Sequence, residues 1–139
     1  MNARHLRLLT VSVLALVTIG GCASVSSKAP SNTVLPSRSL TAGAVNVVIT
    51  PTRLDATGAT FAISLDTHSA DLSLDLTTAA KLDVNGTTWA VDRWTGATGG
   101  GHHRAGNLTF TVQGPPTGTV HLTITGLPGP IDATWQIDG

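Results

Sequence analysis

"KLDVNGTTWAV", Lys81 to Val91, holds an Asn-Gly pair between two runs in which apolar and polar residues alternate. Leu82 and Val84 share one parity before the pair, and Trp89 and Val91 share one after it. Alternation with a period of two is the pattern of a half-buried strand. Asn85-Gly86 suits the link between two such strands, because a type I′ turn needs positive φ at both central positions and Asn and Gly tolerate it best. The stretch reads as an antiparallel hairpin, and the chain from Ala44 onward repeats its pattern.

Six further segments carry the same alternation. Their inward sets are Val45, Val47 and Ile49; Phe61, Ile63 and Leu65; Leu72, Leu74 and Leu76; Leu108, Phe110 and Val112; Val120, Leu122 and Ile124; and Ile131, Trp135 and Ile137. Turn residues separate them: Pro51, Asp55-Ala-Thr-Gly58, Gly114-Pro115-Pro116-Thr117-Gly118 and Pro128-Gly129-Pro130. All eight acidic residues are Asp and none is Glu, which disfavours helices, since Asp is a turn former and Glu a helix former. "SLDLTTAAKL" alone could form a helical turn, a weak one given its Thr and Asp. Short strands in regular succession with turn-rich links predict an all-β fold, an immunoglobulin-like antiparallel β-sandwich of seven or eight strands over residues 44–139. Trp89 and Trp135 fall on the inward parity and are expected in the core with their indole N–H groups bonded to backbone. Trp94 has the opposite parity from Trp89, which places it at the surface as a lid or as a ligand-stacking ring.

The first 21 residues differ in kind. "MNARHLRLLTVSVLALVTIGGC" has basic Arg4 and Arg7, an apolar stretch from Leu8 to Ile19, and small residues before Cys22. That stretch suits a secretory signal peptide and is short for a membrane span. Ile19-Gly20-Gly21-Cys22 resembles the bacterial lipobox, which implies cleavage before Cys22 and acylation of that cysteine. Cys22 is the single cysteine, so no intramolecular disulfide is possible. "ASVSSKAPSNTVLPSRSLTAG" follows with the Ser, Ala, Thr and Pro content of a flexible tether over residues 22–43. The expected product is a domain held by lipid at the cell envelope, on the outer face of the cytoplasmic membrane or in the periplasm.

Charge narrows the partners. From Ala44 onward Arg53, Lys81, Arg93 and Arg104 stand against eight aspartates, a formal net charge of −4. Such a surface repels nucleic acid, whose phosphates need clustered Lys and Arg. It accords with a metal ion or an envelope protein as partner.

Four histidines remain beyond the leader: His68, His102, His103 and His121. Asp66 and His68 share the outward parity of one strand, so a carboxylate and an imidazole can meet on one pleated face. His102 and His103 follow "TGATGGG", where glycine frees the backbone from strict alternation. Brought together, Asp66, His68, His102 and His103 offer three or four ligands for a divalent transition ion such as Zn(II) or Cu(II). The alternative is that these histidines bond backbone groups and close one end of the sandwich. Arg104 beside them suits a carboxylate or phosphate ligand, or an internal pair with Asp66 or Asp71. His121 reads as a solvated sheet residue. Catalysis has little support: Ser69 and Asp66 lie too close to His68 on one strand for a nucleophile, base and orienter, and neither Gly-x-Ser-x-Gly nor a cofactor fingerprint occurs.

"LDTHSADLSLDL" and "WTGATGGGHHRAGNLTF" together resemble a family of small exported bacterial domains that carry an Asp-Thr-His-Ser segment and a Gly-Gly-His-His-Arg segment followed by a strand. The resemblance spans roughly residues 45–135 and implies that the two segments act in one site. It implies no particular chemistry. The sequence-based expectation is a lipid-anchored binding domain and not an enzyme, taking a divalent transition metal or a small ligand through Asp66, His68, His102 and His103, with a metal-free structural or protein-interaction module as the alternative.

Overall fold

The computed structural model describes residues 34–138. The leader, Cys22 and the first part of the expected tether lie outside these residues. Eight strands form the domain: β1 (Arg38–Ala42), β2 (Val45–Asp55), β3 (Gly58–Thr67), β4 (Ala80–Val84), β5 (Thr87–Gly96), β6 (His103–Thr111), β7 (Gly118–Ile124) and β8 (Ile131–Ile137), with one short helix, α1 (Leu76–Ala79), between β3 and β4. Every pairing is antiparallel, in the order β1-β2-β3-β6-β5-β4-β7-β8. With β1 set aside, this order runs as the ABED and CFG strands of an immunoglobulin constant-type sandwich, but the β4–β5 pairing joins the two layers into one continuous eight-stranded sheet; the fold is the all-β sandwich the alternation predicts, nearly closed into a barrel. β5 belongs to both layers: Thr87–Trp89 pairs with β4, and Ala90–Gly96 pairs with β6.

The predicted hairpin forms as read. Asn85 and Gly86 adopt φ of 51° and 82° between Val84 and Thr87. The inward sets of β2, β3, β7 and β8 are buried, and Phe61 joins the layers at the centre of the core. Its ring meets Phe110 edge-on at 5.9 Å and Trp135 at 5.5 Å. Each such side chain removed from water stabilises the fold by about 1.5–3 kcal/mol, which holds a domain that has no disulfide.

Four expectations change. "DLSLDL" is not a strand, although Leu72 and Leu76 are buried. Asp71 and Asp75 bend the chain by accepting from the backbone N–H two residues ahead, Ser73 and Thr77, each at 2.9 Å, and Asp75 thereby caps α1. A side chain that claims the local N–H removes it from a ladder. The eighth strand is instead β1, inside the expected tether: Arg38–Ala42 pairs with β2, and Leu35 and Ala42 are buried. Trp94 returns to the inner parity because a register shift between Val91 and Arg93 inserts one residue, placing Trp94 opposite the buried Leu108. Finally, Trp135 donates to the Pro36 carbonyl at 2.7 Å as expected, whereas Trp89 Nε1, also buried, finds no acceptor among the described residues.

The two outer strands meet at a seam closed by side chains. Arg38 donates to the Thr134 carbonyl from Nε at 3.1 Å and Nη2 at 2.9 Å, and its guanidinium lies 5.9 Å from the Trp135 ring centre. None of the helices among the described residues is long and apolar enough to cross a membrane.

Candidate functional site

The site is built on the outer face where β3 ends and β6 begins. Asp66 on β3 stands directly opposite His103 on β6, and Asn46 on β2 flanks Asp66 from the other side. Directly opposed residues of an antiparallel pair hold their side chains about 5 Å apart at Cβ, which suits a carboxylate and an imidazole. His103 Nδ1 lies 2.5 Å from Asp66 Oδ1, and Ser64, two residues back on the same face, donates its hydroxyl to Asp66 Oδ2 at 3.1 Å. The hydrogen bond from His103, followed by that from Ser64, holds the Asp66 carboxyl below its ordinary pKa of 3.8 despite some desolvation. With Nδ1 engaged, Nε2 is the ring nitrogen left to a ligand.

Thr67 turns the chain beneath this pair. Buried among its neighbours, it donates its hydroxyl to the Ala44 carbonyl at 2.9 Å and accepts from the N–H groups of Ser69 at 3.3 Å and Ala70 at 3.0 Å. Its own N–H donates to the His102 carbonyl at 2.9 Å. His68 therefore leaves the strand on the rim beside the histidine pair. Gly100 and Gly101, with φ of 103° and 77°, turn the opposite segment so that His102 precedes the strand and escapes its alternation. Ala44, Asn46, Asp66, Thr67, His68, His102 and His103 line one cleft of about 260 Å³. The four expected ligands thus share a cleft. His68 and His102 are exposed, and among the described residues no three His, Cys, Asp or Glu side chains are placed together to hold a metal ion.

No protein-family model, curated protein or solved structure matches this chain.

Arg104 and Trp94 are not among the residues that line the cleft. Because His103 faces outward, alternation sends Arg104 inward, where it is 4% exposed. It pairs with neither Asp66 nor Asp71. Its guanidinium donates to the carbonyls of Ala97 at 3.1 Å, Leu72 at 3.0 Å and Leu74 at 2.5 Å. The half-buried Trp94 ring lies 5.2 Å from the guanidinium carbon, and its Nε1 donates to the same Ala97 carbonyl at 3.0 Å. Arg104 thereby clamps the 71–75 segment to the glycine loop at Ala97, with Trp94 stacked against it. Gly99 lies so close to that segment that a Cβ there would sit 2.6 Å from Ser73 Cα.

His121 stands on the outer face of the other layer, 2.6 Å from Asp132 Oδ1, and takes no part in the cleft. Sequence reasoning missed Ser64 and the organising role of Thr67. Ser64 was legible as the next outward residue before Asp66, but the several partners of Thr67 come from segments distant in the chain.

Proposed function

We propose that this chain is a lipid-anchored, extracytoplasmic binding protein of the cell envelope and not an enzyme, and that its cleft takes a divalent transition metal. The observation that carries this reading is the convergence of His68 with the glycine-borne His102 and His103, from segments more than thirty residues apart, around the Asp66–His103 pair. Imidazole nitrogens in an accessible cleft suit Zn(II), Cu(II) or Ni(II). The domain's negative balance favours cations over polyanions. The lipobox-like leader supports acylation at Cys22 and residence on the outer face of a membrane.

Elemental analysis of untagged protein tests the metal. About one equivalent of ion, lost in His68→Ala and His102→Ala, supports the reading. No retained ion, with an unchanged Tm on adding Zn(II) or Cu(II), overturns it. Mass spectrometry of Cys22 and release of Cys22→Ser from membranes test the anchor.

A second reading is a metal-free interaction module whose histidine loop is structural. It is favoured by the Asp66–His103 bond, which joins β3 to β6 without any ion, and by the absence of a ready three-ligand set among the described residues.

A further inference from the structure

We infer that the histidine cleft is the membrane-distal pole of the anchored domain, so that what it binds arrives from the aqueous phase and not from the lipid surface. This rests on the acylation of Cys22 proposed above and adds an orientation to it.

Strand direction sets the two poles. β1 runs from Arg38, opposite Ile49, to Ala42, opposite Val45, and so travels toward the cleft. Ala44 and Asn46 follow directly and line the cleft with Asp66, near the end of β3, and His103, at the start of β6. The β2–β3 turn at Ala56–Thr57 and the β4–β5 turn at Asn85–Gly86 lie at the opposite pole. The 11 residues of β2, at about 3.3 Å each, separate the two poles by about 30 Å.

The chain enters β1 from the side away from the cleft and is secured there. Leu35 is buried, and the Pro36 carbonyl accepts from Trp135 Nε1 at 2.7 Å. The hydroxyls of Ser37 and Thr50 share a hydrogen bond at 2.7 Å, and Arg38 holds the Thr134 carbonyl. A lipid anchor therefore pulls on the domain at Leu35 and not at Ala44. Val34 lies 12 positions after Cys22, and 12 residues reach about 40 Å at most in any conformation. Turning the cleft to the lipid would draw this link back beside β1 as far as Ala42, taking up to about 25 Å of that length. The upright arrangement takes none of it, so the anchor holds the cleft outward.

Full-length protein purified from membranes and reconstituted into phosphatidylcholine vesicles tests the orientation, by energy transfer to an acceptor dye in the bilayer. Ser69 and Ala56 are exposed at the two poles. Because Cys22 is the single cysteine, Ser69→Cys and Ala56→Cys each supply one free thiol for the donor label once Cys22 is acylated. The Ala56 label is expected near the lipid and the Ser69 label about 20 Å or more farther from it. A soluble collisional quencher should reach the Ser69 label equally well on vesicles and in the unanchored Cys22→Ser counterpart. Equal transfer from the two labels, or stronger transfer from Ser69, overturns the orientation and leaves the anchor standing. A wild type that floats with vesicles no better than Cys22→Ser removes the anchor, and the orientation falls with it.

Discussion

The backbone N–H of Thr67 donates to the carbonyl of His102 at 2.9 Å, one step beyond the Asp66–His103 pair that ends the β3–β6 register. This bond ties the two histidine-bearing segments at the point where both leave the sheet. The Thr67 hydroxyl secures the same corner through Ala44, Ser69 and Ala70. Thr67→Val keeps the shape and removes those bonds in a buried setting, at a cost of about 1–3 kcal/mol. Thermal denaturation should show the loss, and the imidazole signals of His68 and His102 should move in NMR spectra while those of His121 stay in place.

Arg104 has its carbonyl partners on two loops, so its removal acts on both. Arg104→Ala should destabilise the domain by about 3 kcal/mol or more, because it takes a charged donor from the carbonyls of Leu72 and Leu74 and leaves that of Ala97 to Trp94 alone. Arg104→Lys keeps the charge but not the planar fork and should fall between the two. Chemical denaturation measures the order. A neutral Arg104→Ala would contradict the clamp.

Gly99 is required by space. Its hypothetical Cβ meets the Ser73 backbone at 2.6 Å, and backbone cannot yield as a side-chain tip can. Gly99→Val should cost about 1–3 kcal/mol and loosen the histidine loop. Faster amide hydrogen exchange at His102 and His103, with protection in β7 and β8 retained, is the expected signature.

Acid should weaken the fold in a defined window. Asp66, Asp71 and Asp75 are all held below their ordinary 3.8, chiefly by hydrogen bonds from His103, the Ser73 hydroxyl and the Thr77 hydroxyl respectively. Their folded pKa values lie below the unfolded ones, so the unfolded chain binds more protons in this range. The stability they contribute is present above 3.8 and is lost as pH falls through the folded values. Tm should decline below about pH 4. Asp75→Asn, which still caps α1, should decline less steeply than the wild type.

β1 is part of the sandwich. A chain beginning at Ala44 would expose the edge of β2 and would lack the Pro36 carbonyl that Trp135 Nε1 bonds. It should melt at lower temperature and aggregate, as an uncovered strand edge does. A chain beginning at Val34 keeps both contacts and should melt higher.

The sequence by itself determined the fold class, because a period of two is a local property that each strand states alone. It also determined the Asn85-Gly86 hairpin, whose dihedral demand is met by two adjacent residues. Asp66 and His68 could be seen to leave the core face, and the glycine run announced a loop for His102 and His103. Tertiary structure decided the rest, since it depends on what other segments offer. Arg38–Ala42 has tether-like composition and becomes a strand only because β2 presents a free edge. Leu72 and Leu76 keep strand-like spacing, yet Asp71 and Asp75 claim the N–H groups a ladder would need. One inserted residue near Asp92 turns Trp94 inward, and a parity count along the sequence cannot register a bulge set by strand pairing. Arg104 went from prospective ligand contact to buried clamp because the carbonyls of Leu72, Leu74 and Ala97 converge on it only in three dimensions.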